Sequence, residues 1–162
     1  MEPMVGRTVL ITGATSGIGR ATAVGLARMG AHLAITGRDH VRTEDAAREI
    51  RAAGDGQVDV FIADLSSQSE VRRLAEEVLH GHSRIDVLIN NVGGYWDTRH
   101  VTVDGLERTF ALNHLASFLL TSLLLEKLTQ SASARVVTVS SHAQAAGRGA
   151  ARCDGAAGAA TT

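Results

Sequence analysis

Three glycines at the end of the first apolar segment have the spacing of a phosphate-binding turn. Residues 12–19 read TGATSGIG, with glycines at Gly13, Gly17 and Gly19. Gly13 lets the chain turn sharply, Gly17 lets the backbone approach a pyrophosphate without a Cβ in the way, and Gly19 allows close helix–strand packing. The helix that follows offers free N–H groups and a partial positive charge to phosphates. We therefore predict a dinucleotide-binding turn; the alternative is an ordinary glycine-rich connection.

The end of the second apolar segment indicates which dinucleotide this turn binds. In dinucleotide-binding α/β proteins an acidic residue there accepts a hydrogen bond from the 2′-hydroxyl of the adenosine ribose of NAD. Here the residues are Gly37 and Arg38. The missing acid removes repulsion against a 2′-phosphate, and Arg38 offers it charge-assisted hydrogen bonds. Arg20 is a candidate second positive charge. We expect NADP(H) to be preferred over NAD(H); the alternative for both arginines is a solvated surface residue.

These residues belong to a chain in which strands alternate with helices. The predicted strands are 7–12, 31–37, 58–64, 85–90 and 134–140, and the predicted helices are 17–30, 41–54, 68–79 and 104–128. Ser67 and Glu70 have the spacing of a capping box before the third helix. The strands are almost continuously apolar, as expected when helices cover both faces of a parallel sheet. The sequence thus predicts an α/β fold with a doubly wound, Rossmann-type parallel sheet of five strands.

The composition narrows the class of protein. The net charge of −1 gives no electrostatic reason to bind nucleic acid or an anionic membrane. The single cysteine, Cys153, excludes an internal disulfide framework and fits a reducing compartment. Glu126 and Lys127 interrupt the most apolar run, so we expect no membrane span and a cytoplasmic protein. The seven histidines show no zinc-type spacing with Cys or carboxylates, so we predict no metal.

Four ordered motifs resemble those of the short-chain dehydrogenase/reductase family. They are the glycine turn, NNVG at 90–93, Asn113 in the long helical segment and VVTVSS at 136–141. The sequence around Asn113 is similar to that of the retinol-dehydrogenase-like members. A SAM-binding methyltransferase shares the architecture, but it is expected to have an acid after its second strand and a differently spaced glycine turn. Position 37 here is glycine.

The resemblance implies hydride transfer between a nicotinamide cofactor and a small-molecule carbonyl/alcohol pair. It makes Ser141 the residue that hydrogen-bonds the substrate oxygen, with Ser140 as the less favoured choice, and Asn113 the anchor of a water in the proton relay. It also implies that Asp64 meets the adenine amino group and that Asn90 and Asn91 brace the sheet beside the cofactor. The full set of expected cofactor-binding residues is Gly13, Ser16, Gly17, Ile18, Gly19, Arg38, Asp64, Leu65, Asn90 and Gly93.

The Tyr and Lys that the family places in a Y-x-x-x-K helix after the serine do not occur in this sequence. The only tyrosine is Tyr95, and no lysine follows Lys127. His142 is a poor substitute, because neighbouring residues on an extended strand point to opposite faces. We expect residues 1–142 to form an NADP(H)-binding domain with an incomplete C-terminal sheet edge. Residues 143–162, with nine Ala and four Gly, read as a disordered tail produced by a frameshift.

Two functions therefore stay open. The chain is either an oxidoreductase that lacks its catalytic helix and is inactive alone, or a non-catalytic dinucleotide-binding fragment or partner subunit. Association with a second copy or with a full-length relative fits either function. We also expect marginal stability, because the fifth strand is an open edge and one side of helix 104–128 lacks cover. The side chains expected to be uncovered are those of Phe118, Leu119, Leu123 and Leu124.

Overall fold

Five parallel strands form one sheet in a computed structural model that describes residues 3–131 and 133–141. The strands are β1 (Thr8–Ile11), β2 (His32–Gly37), β3 (Val58–Ile62), β4 (Val87–Asn90) and β5 (Arg135–Thr138). Their order is β3-β2-β1-β4-β5, and every neighbouring pair is parallel. The chain builds the sheet outward from β1 to β3 and then crosses to the other side of β1 to add β4 and β5. The predicted doubly wound, Rossmann-type sheet is confirmed.

Helices cover both faces of this sheet. They are α1 (Gly17–Arg28), α2 (His40–Ala53), α3 (Gln68–Gly81), the single turn α4 (Arg108–Phe110), a π-helix (Ala111–Leu115) and α5 (Ala116–Thr129). The predicted ends of the strands and helices agree to within two residues, apart from the start of the last helix.

Alternation along the strands explains why they are apolar on both sides. In β1, Val9 and Ile11 pack in one core with α1 and α2, whereas Leu10 packs in the other core with α3 and α5. Successive side chains of a strand point to opposite faces, so a strand that is buried on both faces carries apolar side chains on both.

The last helix differs from its prediction. It begins at Arg108 rather than at residue 104, because residues 101–107 form a turn closed by a bridge between Val101 and Glu107. The Glu107 carboxylate then caps the helix by accepting hydrogen bonds from the backbone amides of Thr109 and Phe110. The helix is also interrupted by the π-helical turn Ala111–Leu115. A single extra residue in such a turn shifts the side-chain pattern, and periodicity alone does not reveal it.

The prediction that one side of this helix lacks cover is only partly right. Phe118 is 64% exposed, but Leu124 is completely buried, and Leu119 and Leu123 are partly buried against the same core. Leu120 and Leu128 join Leu124 on the buried side, where α5 packs on α3. The helix therefore has a covered face, and the exposed apolar surface is smaller than predicted.

The predicted capping box at α3 is wrong. Ser67 occupies the N-cap position, but its side chain makes no bond to the helix amides and instead contacts the hydroxyl of Ser69 at 2.9 Å. The first helix amide, that of Gln68, donates to the Asp104 carboxylate at 2.8 Å. The cap is thus supplied from 36 residues away, beyond the reach of any local motif.

The strand β5 forms an edge of the sheet in the described part of the chain. All four of its residues are exposed, including Val136 and Val137. His142 and the predicted tail, residues 143–162, lie outside the described residues, so the proposed domain boundary stays a prediction.

One helical stretch, Arg108–Thr129, is long and apolar enough to cross a bilayer by length and composition. Its best 18-residue window has a mean hydropathy of 1.3, and 28% of that window is buried. A single such helix is weak evidence for a span, because the core helices of soluble proteins pass the same test. The expected absence of a membrane span stays a prediction.

Candidate functional site

The site is built where the carboxyl ends of β1 and β4 lie side by side. The strand order reverses between them, and in open α/β sheets ligands bind in the crevice at such a switch point. The hydroxyl of Thr12 joins the two strand ends, because it accepts hydrogen bonds from the amides of Asn91 and Val92 at 3.0 and 3.1 Å. The sequence analysis did not identify Thr12 as a site residue. A threonine between an apolar strand and a glycine turn could have indicated a buried hydroxyl at this position.

The glycine turn is locked to β4 by one side chain. Nδ2 of Asn91 donates to the carbonyl oxygens of Thr12 and Gly13 at 2.9 and 3.1 Å. Gly13 has φ +69°, a conformation that favours glycine. A Cβ on Gly19 would lie 2.4 Å from both Asn91 Nδ2 and the Gly13 oxygen. The predicted close packing at Gly19 and the predicted brace by Asn91 are therefore parts of one contact.

The start of α1 leaves an exposed backbone surface beside this turn. Ser16 is the N-cap residue, with an extended backbone and no side-chain bond to the helix. Gly17 has φ +55°, and a Cβ built on it would meet no atom within 4 Å. Ser16, Gly17 and Ile18 are all exposed. The residues predicted to bind phosphate are therefore exposed at the start of α1, and the binding itself stays a prediction.

The end of β2 has no room for an acidic side chain at position 37. A Cβ on Gly37 would lie 2.2 Å from Oγ1 of Thr43 and 2.5 Å from Cγ2 of Thr15. The next residue, Arg38, is exposed, and none of the hydrogen bonds or ion pairs found among the described residues involves it. Arg20 differs, because its guanidinium lies 3.4 Å from the Glu49 carboxylate on α2. Arg38 is therefore the better placed of the two predicted cations.

Asp64 forms the turn between β3 and α3. Its Oδ1 accepts hydrogen bonds from the amide and the hydroxyl of Ser66 at 3.0 and 2.8 Å. Burial alone would raise the pKa of Asp64, but these bonds and the charges of Arg38 and Arg108 outweigh it and lower that pKa. Leu65, by contrast, is only 5% exposed and packs in the core, so only its backbone is available to a cofactor.

Two asparagines fix the segment that follows β4. Asn90 is buried, donates from Nδ2 to the Thr121 hydroxyl at 3.0 Å, and has no partner for Oδ1 among the described residues. Asn113, on the π-helical turn, makes a reciprocal pair with Gly94: Oδ1 accepts from its amide at 2.9 Å, and Nδ2 donates to its carbonyl at 2.8 Å. Gly93 is exposed, and a Cβ on it would lie 3.4 Å from Asn113 Oδ1. Asn113 therefore positions this loop; the water-anchoring role that the resemblance implied stays a prediction.

Ser141 follows β5 at the same edge of the sheet. The amide of Val139 donates to the Asn90 carbonyl at 2.9 Å, which aligns the end of β5 with that of β4. Ser140 and Ser141 are exposed two residues beyond this contact. Tyr95 is 86% exposed in the segment after β4. His142 lies outside the described residues.

A groove of about 870 Å³ lies at the opposite end of the fold. It is lined by residues near the end of α1, among them Val5, Leu26, Met29 and Asp55. None of the predicted site residues lines this groove, so its size does not identify it as the site of the predicted chemistry.

Comparison with known proteins identifies a family model and relatives that match most of this chain. The family model for short chain dehydrogenases matches residues 7–161. The chain is 46% identical over 143 residues to a putative daunorubicin C-13 ketoreductase, DnrU, of Streptomyces sp. (strain C5), covering 88% of this chain and 49% of that protein. It is 48% identical over 149 residues to retinol dehydrogenase 14 of Mus musculus, covering 85% of this chain and 45% of that protein. The chain spans about half the length of these relatives.

Solved structures show the same architecture. A Pseudomonas aeruginosa RhlG/NADP active-site complex superposes with a TM-score of 0.76 at 36% identity, covering 87% of this chain and 58% of that one. An NADH-dependent reductase A1-R′ complexed with NAD also gives a TM-score of 0.76, at 31% identity, covering 90% of this chain and 64% of that one. Both nicotinamide dinucleotides therefore occur among structures of this shape.

Proposed function

Because this chain belongs to the short-chain dehydrogenase family, we propose that it comes from an oxidoreductase that uses NADP(H) to interconvert a carbonyl and an alcohol. The family establishes a fold that binds a nicotinamide dinucleotide. The choice of NADP(H) is carried by one observation: Arg38 is exposed at the end of β2, directly after a glycine position that excludes an acidic side chain.

The described residues fit such a cofactor. The Gly17 position is open, the α1 amides are exposed, and the turn is held rigid by Asn91. The adenosine end would lie toward Arg38 and Asp64, and a 2′-phosphate there would receive charge-assisted hydrogen bonds from Arg38. The nicotinamide end would lie toward Asn90 and Gly93. When bound, the cofactor supplies or accepts the hydride at its nicotinamide ring.

Ser141 is the proposed hydrogen-bond partner of the substrate oxygen. It emerges at the carboxyl edge beside Asn90, on the side of β4 away from the glycine turn. Relatives whose names state a ketone reductase or a retinol dehydrogenase support a carbonyl/alcohol substrate with a large apolar part.

We further propose that these 162 residues bind the dinucleotide but do not turn over a substrate by themselves. The resemblance implies that a tyrosine beside a lysine moves the proton in this reaction. The sequence has no Tyr-x-x-x-Lys after Ser141. A full-length relative would then supply the proton donor.

The cofactor proposal is tested by titrating the chain with NADPH and NADH. We expect NADPH to bind more tightly, and Arg38→Ala to weaken NADPH about 10- to 100-fold, since a hydrogen bond to a charged group contributes about 1.5–3 kcal/mol. Binding of NADH should hardly change. Arg42→Ala is the matched control, because Arg42 is an exposed arginine at the start of α2. Equal or tighter binding of NADH by the native chain would contradict the proposal.

Activity is tested separately by following NADPH oxidation with a panel of ketones and aldehydes. The chain alone should stay at the background rate even at a concentration that saturates it with NADPH. Turnover above background that Ser141→Ala abolishes would show that the 162 residues are catalytic after all.

A further inference from the structure

Three potential metal ligands meet at the amino-terminal edge of the sheet, away from the dinucleotide site. His32 begins β2, Asp59 lies in β3 and His82 follows the last turn of α3. Their ligand atoms all lie within 4.8 Å of one another. Along β2, five residues separate His32 from Gly37, so about 16 Å of strand lies between this cluster and the cofactor edge.

The distances within the cluster are close to those of a coordination sphere. Nε2 of His82 lies 3.6 Å from Asp59 Oδ2, and Nε2 of His32 lies 2.6 Å from the same oxygen. In tetrahedral zinc sites the ligand bonds are about 2.0–2.2 Å, which places neighbouring ligand atoms about 3.4 Å apart. The His82–Asp59 separation already fits. The His32–Asp59 separation is that of a hydrogen bond and would open by about 0.8 Å around a metal.

The buried member of the cluster points to a ligand. The side chain of His82 is 5% exposed, and its Nε2 is buried without a hydrogen-bond partner among the described residues. Buried polar atoms are almost always paired, so such an atom calls for an explanation such as an unseen ion or water.

The surroundings hold the two imidazoles in place. The ring of His82 packs edge-on against that of His32 with centroids 5.1 Å apart, and the ring centroid of Phe61 lies 6.0 Å from that of His82. Asp59 and Phe61 lie two residues apart in β3 and therefore project from the same face of the sheet. Asp59 is half exposed at the rim, which leaves an approach from solvent.

We propose that His32, Asp59 and His82 form a binding site for one divalent transition-metal ion, with Zn²⁺ as the ion it takes. Two imidazole nitrogens and one carboxylate oxygen are ligands that zinc favours, and water would complete a tetrahedron at the solvent side. On binding, His32 would change tautomer: the proton on Nε2 that now bonds Asp59 passes through solvent to Nδ1 of the same ring, so that Nε2 offers its lone pair to the metal. The site does not depend on the dehydrogenase function, because it shares no residue with the dinucleotide crevice.

This proposal departs from the expectation that the chain has no metal site, which no observation tests. The three residues stand at positions 32, 59 and 82, and no local spacing links them. They come together because β2 and β3 are paired neighbours and α3 returns to the amino-terminal edge of the same two strands.

The test is calorimetric titration of the untagged 162-residue chain with zinc chloride, in a Cys153→Ser background that removes the single thiol. We expect saturable binding of one Zn²⁺ per chain and a melting temperature that rises with zinc concentration. Asp59→Asn and His32→Gln should each weaken zinc binding at least about tenfold. Both residues are only partly buried, so these two variants should fold. They test the zinc site even if His82→Ala does not fold.

The matched control is His80→Ala, which removes an exposed histidine from the last turn of the same helix. It should bind zinc like the parent chain. Substitution with Co²⁺ adds a second readout, since a four-coordinate ion absorbs visible light and the band should disappear in Asp59→Asn. No saturable binding up to about 100 μM Zn²⁺, or equal zinc affinity in Asp59→Asn and His80→Ala, would overturn the proposal and leave a hydrogen-bonded His–Asp–His cluster without a metal.

Discussion

At the scale of single residues, the geometry of the site depends on two glycines, Gly19 and Gly37, at which a Cβ atom would collide with neighbouring atoms. Asn91 reaches the glycine turn only because Gly19 has no Cβ, and position 37 at the end of β2 holds no acid because there is no space for a side chain there. The glycine spacing predicted the first of these contacts. It did not identify Asn91 as the side chain that fills the space, because that requires β4 to lie beside β1.

Two glycines of α1 offer a matched pair of substitutions. Gly19→Ala should destabilise the chain by about 1–3 kcal/mol, the usual cost of overpacking, because the new Cβ would collide with Asn91 Nδ2 and the Gly13 oxygen. Gly25→Ala, in the same helix, should stabilise it by about 0.5–1 kcal/mol, because a Cβ there meets no atom within 4 Å and alanine favours helix. Urea denaturation measures both changes. Equal effects of the two substitutions would contradict the packing described for Gly19.

At the scale of the elements, helix starts were the least predictable feature. The sequence around Ser67 has the pattern of a capping box, yet the Gln68 amide is bound by Asp104. Residues 104–107 were predicted to begin the last helix, and they belong instead to the turn that delivers Asp104. The two errors have one cause, because Asp104 must leave the helix in order to cap α3.

This cap gives a prediction for the element scale. Asp104→Ala should lower the free energy of unfolding by about 1 kcal/mol, the typical loss of an N-cap interaction. Asp97→Ala, in a neighbouring exposed loop, should stay within about 0.5 kcal/mol of the parent chain, as surface substitutions usually do. Denaturant midpoints with unchanged slopes measure the difference, and Ser67→Ala should cost less than Asp104→Ala. A larger loss of stability in Ser67→Ala than in Asp104→Ala would contradict this prediction and favour the capping box.

At the scale of the whole molecule, the alternation of apolar segments was enough to predict the parallel sheet and its two covered faces. The dinucleotide crevice was predictable to the same extent, since the glycine turn and the residue after β2 are local features. The His32–Asp59–His82 cluster was not, because its members share neither a motif nor an element. Sequence patterns specify elements and their ends, whereas contacts between three separate elements depend on the packing itself.

The exposed edge strand β5 should determine whether the chain self-associates in solution. Its two valines, Val136 and Val137, are each 45% exposed, and in the described part of the chain one of its edges is unpaired. Such an edge is a template for pairing with another chain. We therefore expect concentration-dependent self-association, reduced by Val137→Lys and unaffected by Val103→Lys, a substitution at an 88% exposed valine outside the sheet. Light scattering across a concentration series measures this; a native chain that stays monomeric throughout would contradict it.

The position of β1 at the middle of the sheet also has a consequence for the time course of synthesis. Its first neighbour, β2, follows almost at once, but its second neighbour, β4, comes much later: Thr12 and Ile89, which join the two strand ends, are 77 residues apart in the chain. A ribosome that adds about 5–20 residues per second needs about 4–15 s to cover that interval. Throughout that time the nascent chain carries an apolar strand with one unpaired edge at what later becomes the centre of the molecule. The period of greatest risk for misfolding therefore falls before β4 has left the ribosome, while the glycine turn is already made but Asn91 has not yet arrived to hold it.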